Sequence, residues 1–142
     1  MNAKDKGDVM KIFYGILLCI CSVWGISDLQ APAPKREART IPIDCASGDC
    51  PLLTGTPQTA GLRSGFVRLK AGETVGWHTT GQNEETLIIL HGRGEAMIEG
   101  AAGMPVAEHV LAYIPPATRH NVKNTGTETL EYVYVVAPAV EK

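Results

Sequence analysis

The feature that most constrains this chain is the spacing of its turn signals. From Leu62 onward, breaks rich in glycine, proline and asparagine fall at residues 71–73, 80–83, 91–94, 100–103, 115–117 and 124–127. Between them lie short runs, apolar or alternating. No stretch after residue 40 keeps a helical apolar period for long enough to make a helix. Turns about every eight to twelve residues are the signature of an all-β sandwich or barrel. Strands are expected at Arg63–Leu69, Val75–Thr79, Glu85–Leu90, Glu95–Glu99, Pro105–Ala107, Val110–Ile114, Arg119–Lys123 and Thr129–Ala137. None has an interior proline, so the local signals agree on a single closed β domain.

At 142 residues the chain has room for one such domain and little besides. A hydrophobic fraction of 44% and a charged fraction of 20% are ordinary for a globular protein. The formal charge of -2, with no basic cluster, excludes a polyanionic partner such as nucleic acid.

Residues 1–27 read differently. Lys4, Lys6 and Lys11 precede an uncharged apolar run at 12–26, expected to be helical. That run is shorter than the roughly 20 residues a membrane span requires. With Gly25 and Ser27 behind it, the segment fits a signal peptide, and export to the periplasm or another extracytoplasmic space is expected. Retention as a transmembrane anchor is the alternative, and it would confine membrane contact to this segment. Residues 28–40, proline-rich and charged, read as a solvated linker. The folded domain is then 41–142. Near its start Cys45 and Cys50 flank a Gly-Asp turn, a spacing that favours a disulfide in an oxidising compartment. So short a loop would stabilise by about 2 kcal/mol.

One stretch of the domain concentrates its chemistry. Residues 72–92 carry His78 on a short extended segment, then Glu84 and Glu85 after a polar loop, then an apolar run. His120 follows the Pro115-Pro116 corner. Imidazoles and a carboxylate at strand ends are the donors that first-row divalent metals take. They converge only if the sheet curls. Residues two apart on a strand share a face, so His78 and Thr80 project together while Trp77 points to the other side as a packing residue. Gln82 is placed to lend a carbonyl oxygen from the loop. Glu84 reads as a solvated charge, and His91 and His109 read as surface residues.

Gly72, His78, Thr80, Glu85 and Gly92 resemble the first cupin motif, G-x5-H-x-H-x3,4-E-x6-G. Pro115, His120 and Asn124 are similar to the second, G-x5-P-x-G-x2-H-x3-N. The resemblance runs from about Gly61 to Val136. It implies a double-stranded β-helix, the jelly-roll barrel, with a ligand cavity at its centre. The motif spacing selects Glu85 over Glu84. Thr80 stands where the family usually places a second histidine. His109 and Ala117 replace two motif glycines, changes that neighbouring residues are expected to absorb. The resemblance therefore implies a three-residue metal set, His78, Glu85 and His120, for a divalent iron, manganese, nickel, copper or zinc ion. Open positions would remain for water or a ligand.

The expected function is an exported cupin, dioxygenase-, lyase- or isomerase-like, acting on a small organic acid or related metabolite. The alternative is a non-catalytic module that binds or senses a small ligand. No general acid or base is apparent apart from the metal ligands. A homodimer paired through sheet edges is expected from the resemblance alone.

Overall fold

The computed structural model describes residues 36–46 and 48–140. The signal or anchor segment and most of the linker lie outside these residues, and 36–40 have no regular structure. Eight strands follow and no helix is present among the described residues. They are β1 (Cys50–Thr54), β2 (Arg63–Leu69), β3 (Asn83–His91), β4 (Arg93–Ile98), β5 (Met104–Ala107), β6 (Leu111–Ile114), β7 (His120–Asn124) and β8 (Leu130–Pro138). All pairings are antiparallel.

They form two sheets, one in the order β1-β2-β8-β3-β6 and one in the order β5-β4-β7. The register of the larger sheet sets out its inner face in rows. Arg63, Val136, Glu85 and Ile114 make the first row, and Gly65, Tyr134, Leu87 and Ala112 the second. Below them Val67, Tyr132 and Ile89 make a third. Leu87 and Ile89 are each at most 2% exposed, so the lower rows are a packed apolar core. Burying such a side chain contributes about 2 kcal/mol. The facing sheet supplies Ala96, Val106 and Val122 to the same core.

Two parts of the chain depart from the sequence expectation. The strand β1 was not expected, because its segment offers one proline and no alternation. It forms as an edge strand against β2, with an irregularity between Pro51 and Leu53, beside the Cys45–Cys50 disulfide. Edge strands tolerate a proline that a central strand would not.

Conversely, Val75–Thr79 is not a regular strand. Its ladder pairing with β7 is reduced to isolated bridges at Thr74–Lys123 and His78–His120. Residues 74–78 advance four positions while 123–120 advance three, so one residue is extra. Gly76 accommodates it at φ 91, where a side chain would be strained. The Gly76 N–H goes instead to the buried Asn121 side-chain oxygen at 2.9 Å.

Candidate metal centre

The bulged segment delivers His78 to its place. His78 and His120 exchange backbone hydrogen bonds, each 2.9 Å, as a directly opposed antiparallel pair. Their side chains therefore leave the same face, with ring centroids 4.3 Å apart. Glu85 enters from the other sheet, in the first inner row of β3. Ligand atoms of His78, Glu85 and His120 all lie within 4.8 Å of one another. Glu84, the next residue back, faces the other way and accepts the Tyr113 hydroxyl at 3.2 Å.

The two imidazoles are oriented alike. His78 Nδ1 lies 2.9 Å from the Gly76 carbonyl oxygen, and His120 Nδ1 lies 3.0 Å from that of Thr118. A carbonyl only accepts, so each ring carries its proton on Nδ1 and keeps a lone pair on Nε2. His120 Nε2 then meets Glu85 Oε2 at 3.1 Å. Both atoms are buried and neither has an aligned hydrogen-bond partner. Two facing acceptors repel unless a cation lies between them. In the metal-free protein a proton can take that place. Burial alone would lower the His120 pKa, but the close Glu85 carboxylate and the Thr118 carbonyl outweigh it and leave the value raised.

The three donors also fit a metal ion. In a tetrahedral or facial set, ligand atoms about 2.1 Å from one ion stand about 3.0–3.4 Å apart. His120 Nε2 and Glu85 Oε2 are already at 3.1 Å, and movement of the His78 side chain inward completes the set. The Nδ1 hydrogen bonds to backbone carbonyls are the support that metal-bound imidazoles usually have.

Beside the centre lies a cavity of about 470 Å³, walled in part by His78, Thr80, Glu85, Trp77, Tyr132 and Tyr134. That volume is in the range of small-molecule sites. Thr80 does face the cavity, but its hydroxyl is used: it donates to the Asn83 carbonyl at 2.9 Å. Gln82 is exposed on the loop and is not part of the cavity wall. Trp77 corrects the sequence expectation. It is 41% exposed at the cavity with the Arg119 guanidinium 5.6 Å from its ring, rather than packed on the far side. Alternation holds only in a regular strand, and the extra residue at Gly76 breaks it. Tyr132 is buried, and that burial, followed by the nearby Glu85 charge, pushes its phenol far above the usual range. It remains a hydrogen-bond donor at any ordinary pH.

Residues 65–136, half of the chain, match the family model of the cupin domain. The chain belongs to the cupin family. Solved cupin-like structures are similar to it in fold. One is a predicted oxalate decarboxylase from Thermotoga maritima, 24% identical, with a TM-score of 0.59 over 64% of this chain and 79% of that one. Another is a cupin protein from Bacteroides fragilis, 20% identical, at 0.58 over 77% and 91%. The cupin domain of Schizosaccharomyces pombe Cnp3 aligns at 0.57, 21% identical, over 64% of each chain. At these identities the likeness concerns the fold. In sequence, the cupin is 31% identical over 90 residues to the polyketide synthase CurC of Streptomyces cyaneus. That match takes in 61% of this chain and spans 58% of the relative's length.

The cupin motifs also account for Asn124. Its amide, 1% exposed, donates to the Leu69 and Glu128 carbonyls at 2.9 and 2.7 Å and accepts from the Gly126 N–H at 2.8 Å. It ties β2 to the turn after β7 and is structural. The two replaced glycines behave differently from expectation. His109 and Ala117 themselves adopt left-handed backbone, at φ 68 and 57, so no neighbour absorbs the change. At Ala117 the strained turn is held by a hydrogen bond from its N–H to the Gly81 carbonyl at 2.6 Å.

Proposed function

We propose that this cupin holds a divalent metal ion through His78, Glu85 and His120 and acts on a small organic molecule bound in the adjoining cavity. The carrying observation is the approach of two buried acceptors, His120 Nε2 and Glu85 Oε2, to 3.1 Å with no aligned hydrogen bond. A bound ion would supply Lewis-acid polarisation of a ligand oxygen, with redox chemistry added if it is iron, manganese or copper. The protein's own groups orient the ligand. Tyr132 donates from its permanently protonated phenol, while Val67, Val122 and Val136 exclude water.

The reaction class, whether dioxygenase-, lyase- or isomerase-like, is part of the proposal. A non-catalytic binding role is favoured by one observation. Beyond the ligand set, the cavity wall adds the Asp49 carboxylate, which accepts the Arg68 N–H, the Tyr134 hydroxyl, a threonine hydroxyl already engaged and the Tyr132 phenol, which stays protonated, so it has few groups to move a proton. Export, or anchoring through residues 12–26, and pairing of copies through a sheet edge are further proposals. Cell fractionation and light scattering respectively test them.

The deciding experiment is elemental analysis after incubation with iron, manganese, nickel, copper and zinc salts, beside Glu85→Gln. We expect close to one ion per chain in the parent and a large loss in the variant. A parent protein that stays metal-free with all five ions overturns the metal reading.

A further inference from the structure

Arg63 opens β2, and register decides where it points. It pairs with Val136, which pairs on its other side with Glu85. Residues in one cross-strand row share a face, so Arg63 and Glu85 are both inward, with a single strand between them. Two strand spacings put their backbones about 10 Å apart. Arg63 walls the same cavity as His78 and Glu85. Arg63 is exposed at one end of this row, which Thr54 continues toward β1 and which Val136, Glu85 and Ile114 complete on the other side.

The described arginine ion pairs, Arg68–Glu131 and Arg119–Glu99, do not involve Arg63. Asp49, also in the cavity wall, accepts the Arg68 N–H through one carboxylate oxygen at 3.1 Å. The next inner residue of β2 is Gly65, and the missing side chain there matters. A Cβ on Gly65 would lie 2.6 Å from the ring and hydroxyl of Tyr134. The Tyr134 ring therefore crosses the floor of β2 toward the Arg63 side. Its hydroxyl has no partner among the described residues. A cation able to hold a carboxylate through two parallel hydrogen bonds and a phenol donor thus stand on one side of the cavity, opposite the metal centre.

We propose that Arg63, assisted by the Tyr134 hydroxyl, anchors a carboxylate. The cavity's ligand is then a short organic acid, its body lying against Tyr132 and Val136 and its far end reaching His78, Glu85 and His120. The cavity of about 470 Å³ leaves room for one six-membered ring or a chain of similar length. Only the far end of this arrangement rests on the proposed metal site. The anchor itself needs no metal.

The test compares para-hydroxybenzoate with its neutral amide, para-hydroxybenzamide, by calorimetry on the full chain, metal-loaded and metal-stripped. The acid is expected to bind at least tenfold more tightly than the amide, about 1.4 kcal/mol. Arg63→Gln removes that preference while melting temperature and metal content stay at parent values, and Arg63→Lys restores part of it. The anchor is overturned by equal binding of acid and amide. It is also overturned if Arg63→Gln weakens both alike, or if the acid shows no saturable binding at millimolar concentration. A preference that persists in stripped protein, even in a chain that takes no metal, supports the anchor while the metal reading fails. Metal uptake without any acid preference does the reverse.

Discussion

Strand β3 carries an imidazole–carboxylate cluster at each end, and the two behave oppositely. At its start, Glu85 meets His120 at 3.1 Å with side chains 6% and 0% exposed. At its end, His91 lies 3.7 Å from Glu108 and 3.6 Å from Glu128, whose side chains are 49% and 75% exposed. His109 adds a fourth group, 3.6 Å from Glu108 and almost fully exposed. The second cluster has more ligand-type residues than the first, and it surrounds a cavity of its own, about 330 Å³. Residue type is therefore not what makes a site. At the first cluster, backbone carbonyls fix both ring tautomers and burial leaves two acceptors facing each other. At the second, water solvates every partner and screens every charge.

The largest expected contrast is in metal affinity. Glu85→Gln should weaken binding of zinc or iron at least 100-fold, about 2.8 kcal/mol, while Glu128→Gln leaves it within twofold. In Glu85→Gln the amide can still face His120, so the variant should fold. His120→Ala should instead destabilise the metal-free protein by about 3 kcal/mol, because a buried carboxylate loses its partner. Equilibrium dialysis and thermal melts separate the two effects. Equal metal loss at both ends of β3 would break the comparison.

The pH response comes next. A ligating His120 must be neutral, so binding one ion displaces one proton. Because its pKa is raised, affinity should climb about tenfold per unit up to that raised value and then flatten. Metal-free stability runs the other way. The folded pKa exceeds the unfolded value of about 6.5, so the contribution is whole below that pH and is lost as pH rises through the folded value. Melts of metal-free and loaded protein should therefore show opposite slopes in this window. Parallel slopes would mean that His120 is not the competing proton's seat.

A smaller effect is expected at Thr80. Thr80→His should tighten metal binding about tenfold, since the residue faces the cavity beside His78 and an imidazole is a strong donor. It also removes the hydroxyl bond to the Asn83 carbonyl, so stability should fall by about 1 kcal/mol. Unchanged affinity in a variant that has lost stability would mean the new ring leaves the cavity.

Local pattern made much of this legible in the sequence. The bounds of β2 follow from its flanking turns, and β8 announces itself as a long apolar run. Motif spacing separated Glu85 from Glu84, which apolar residues on both faces of the following run could not do. What stayed hidden depends on pairing. Trp77 reaches the cavity only because Gly76 takes up an extra residue opposite β7, and a lone sequence does not display its partner strand. Arg63 looks like an ordinary charge at a strand start until its row with Val136 and Glu85 is known. The edge strand β1 has so little apolar pattern that the neighbouring β2 and the Cys45–Cys50 disulfide carry its place.

The smallest expected effect concerns the two positions where glycines of the family pattern are replaced. His109 and Ala117 hold left-handed backbone, a conformation that costs an L-residue roughly 1 kcal/mol. Glycine relieves that cost but makes the unfolded chain more flexible, which returns part of the gain. Ala117→Gly and His109→Gly should therefore each stabilise the fold by no more than about 1 kcal/mol. The two positions lie at the two contrasted ends of the barrel. Ala117 sits three residues before His120, in a turn bonded to the Gly81 carbonyl next to Thr80. His109 sits in the exposed cluster beside Glu108. If the metal end owes its geometry to a stiff frame, Ala117→Gly should loosen metal binding slightly, by about twofold, even as melting temperature rises. His109→Gly should raise melting temperature by a similar amount and leave the metal untouched. Equal effects on the metal, or a fall in stability from either variant, would show that backbone strain near His120 is not part of what distinguishes the two ends.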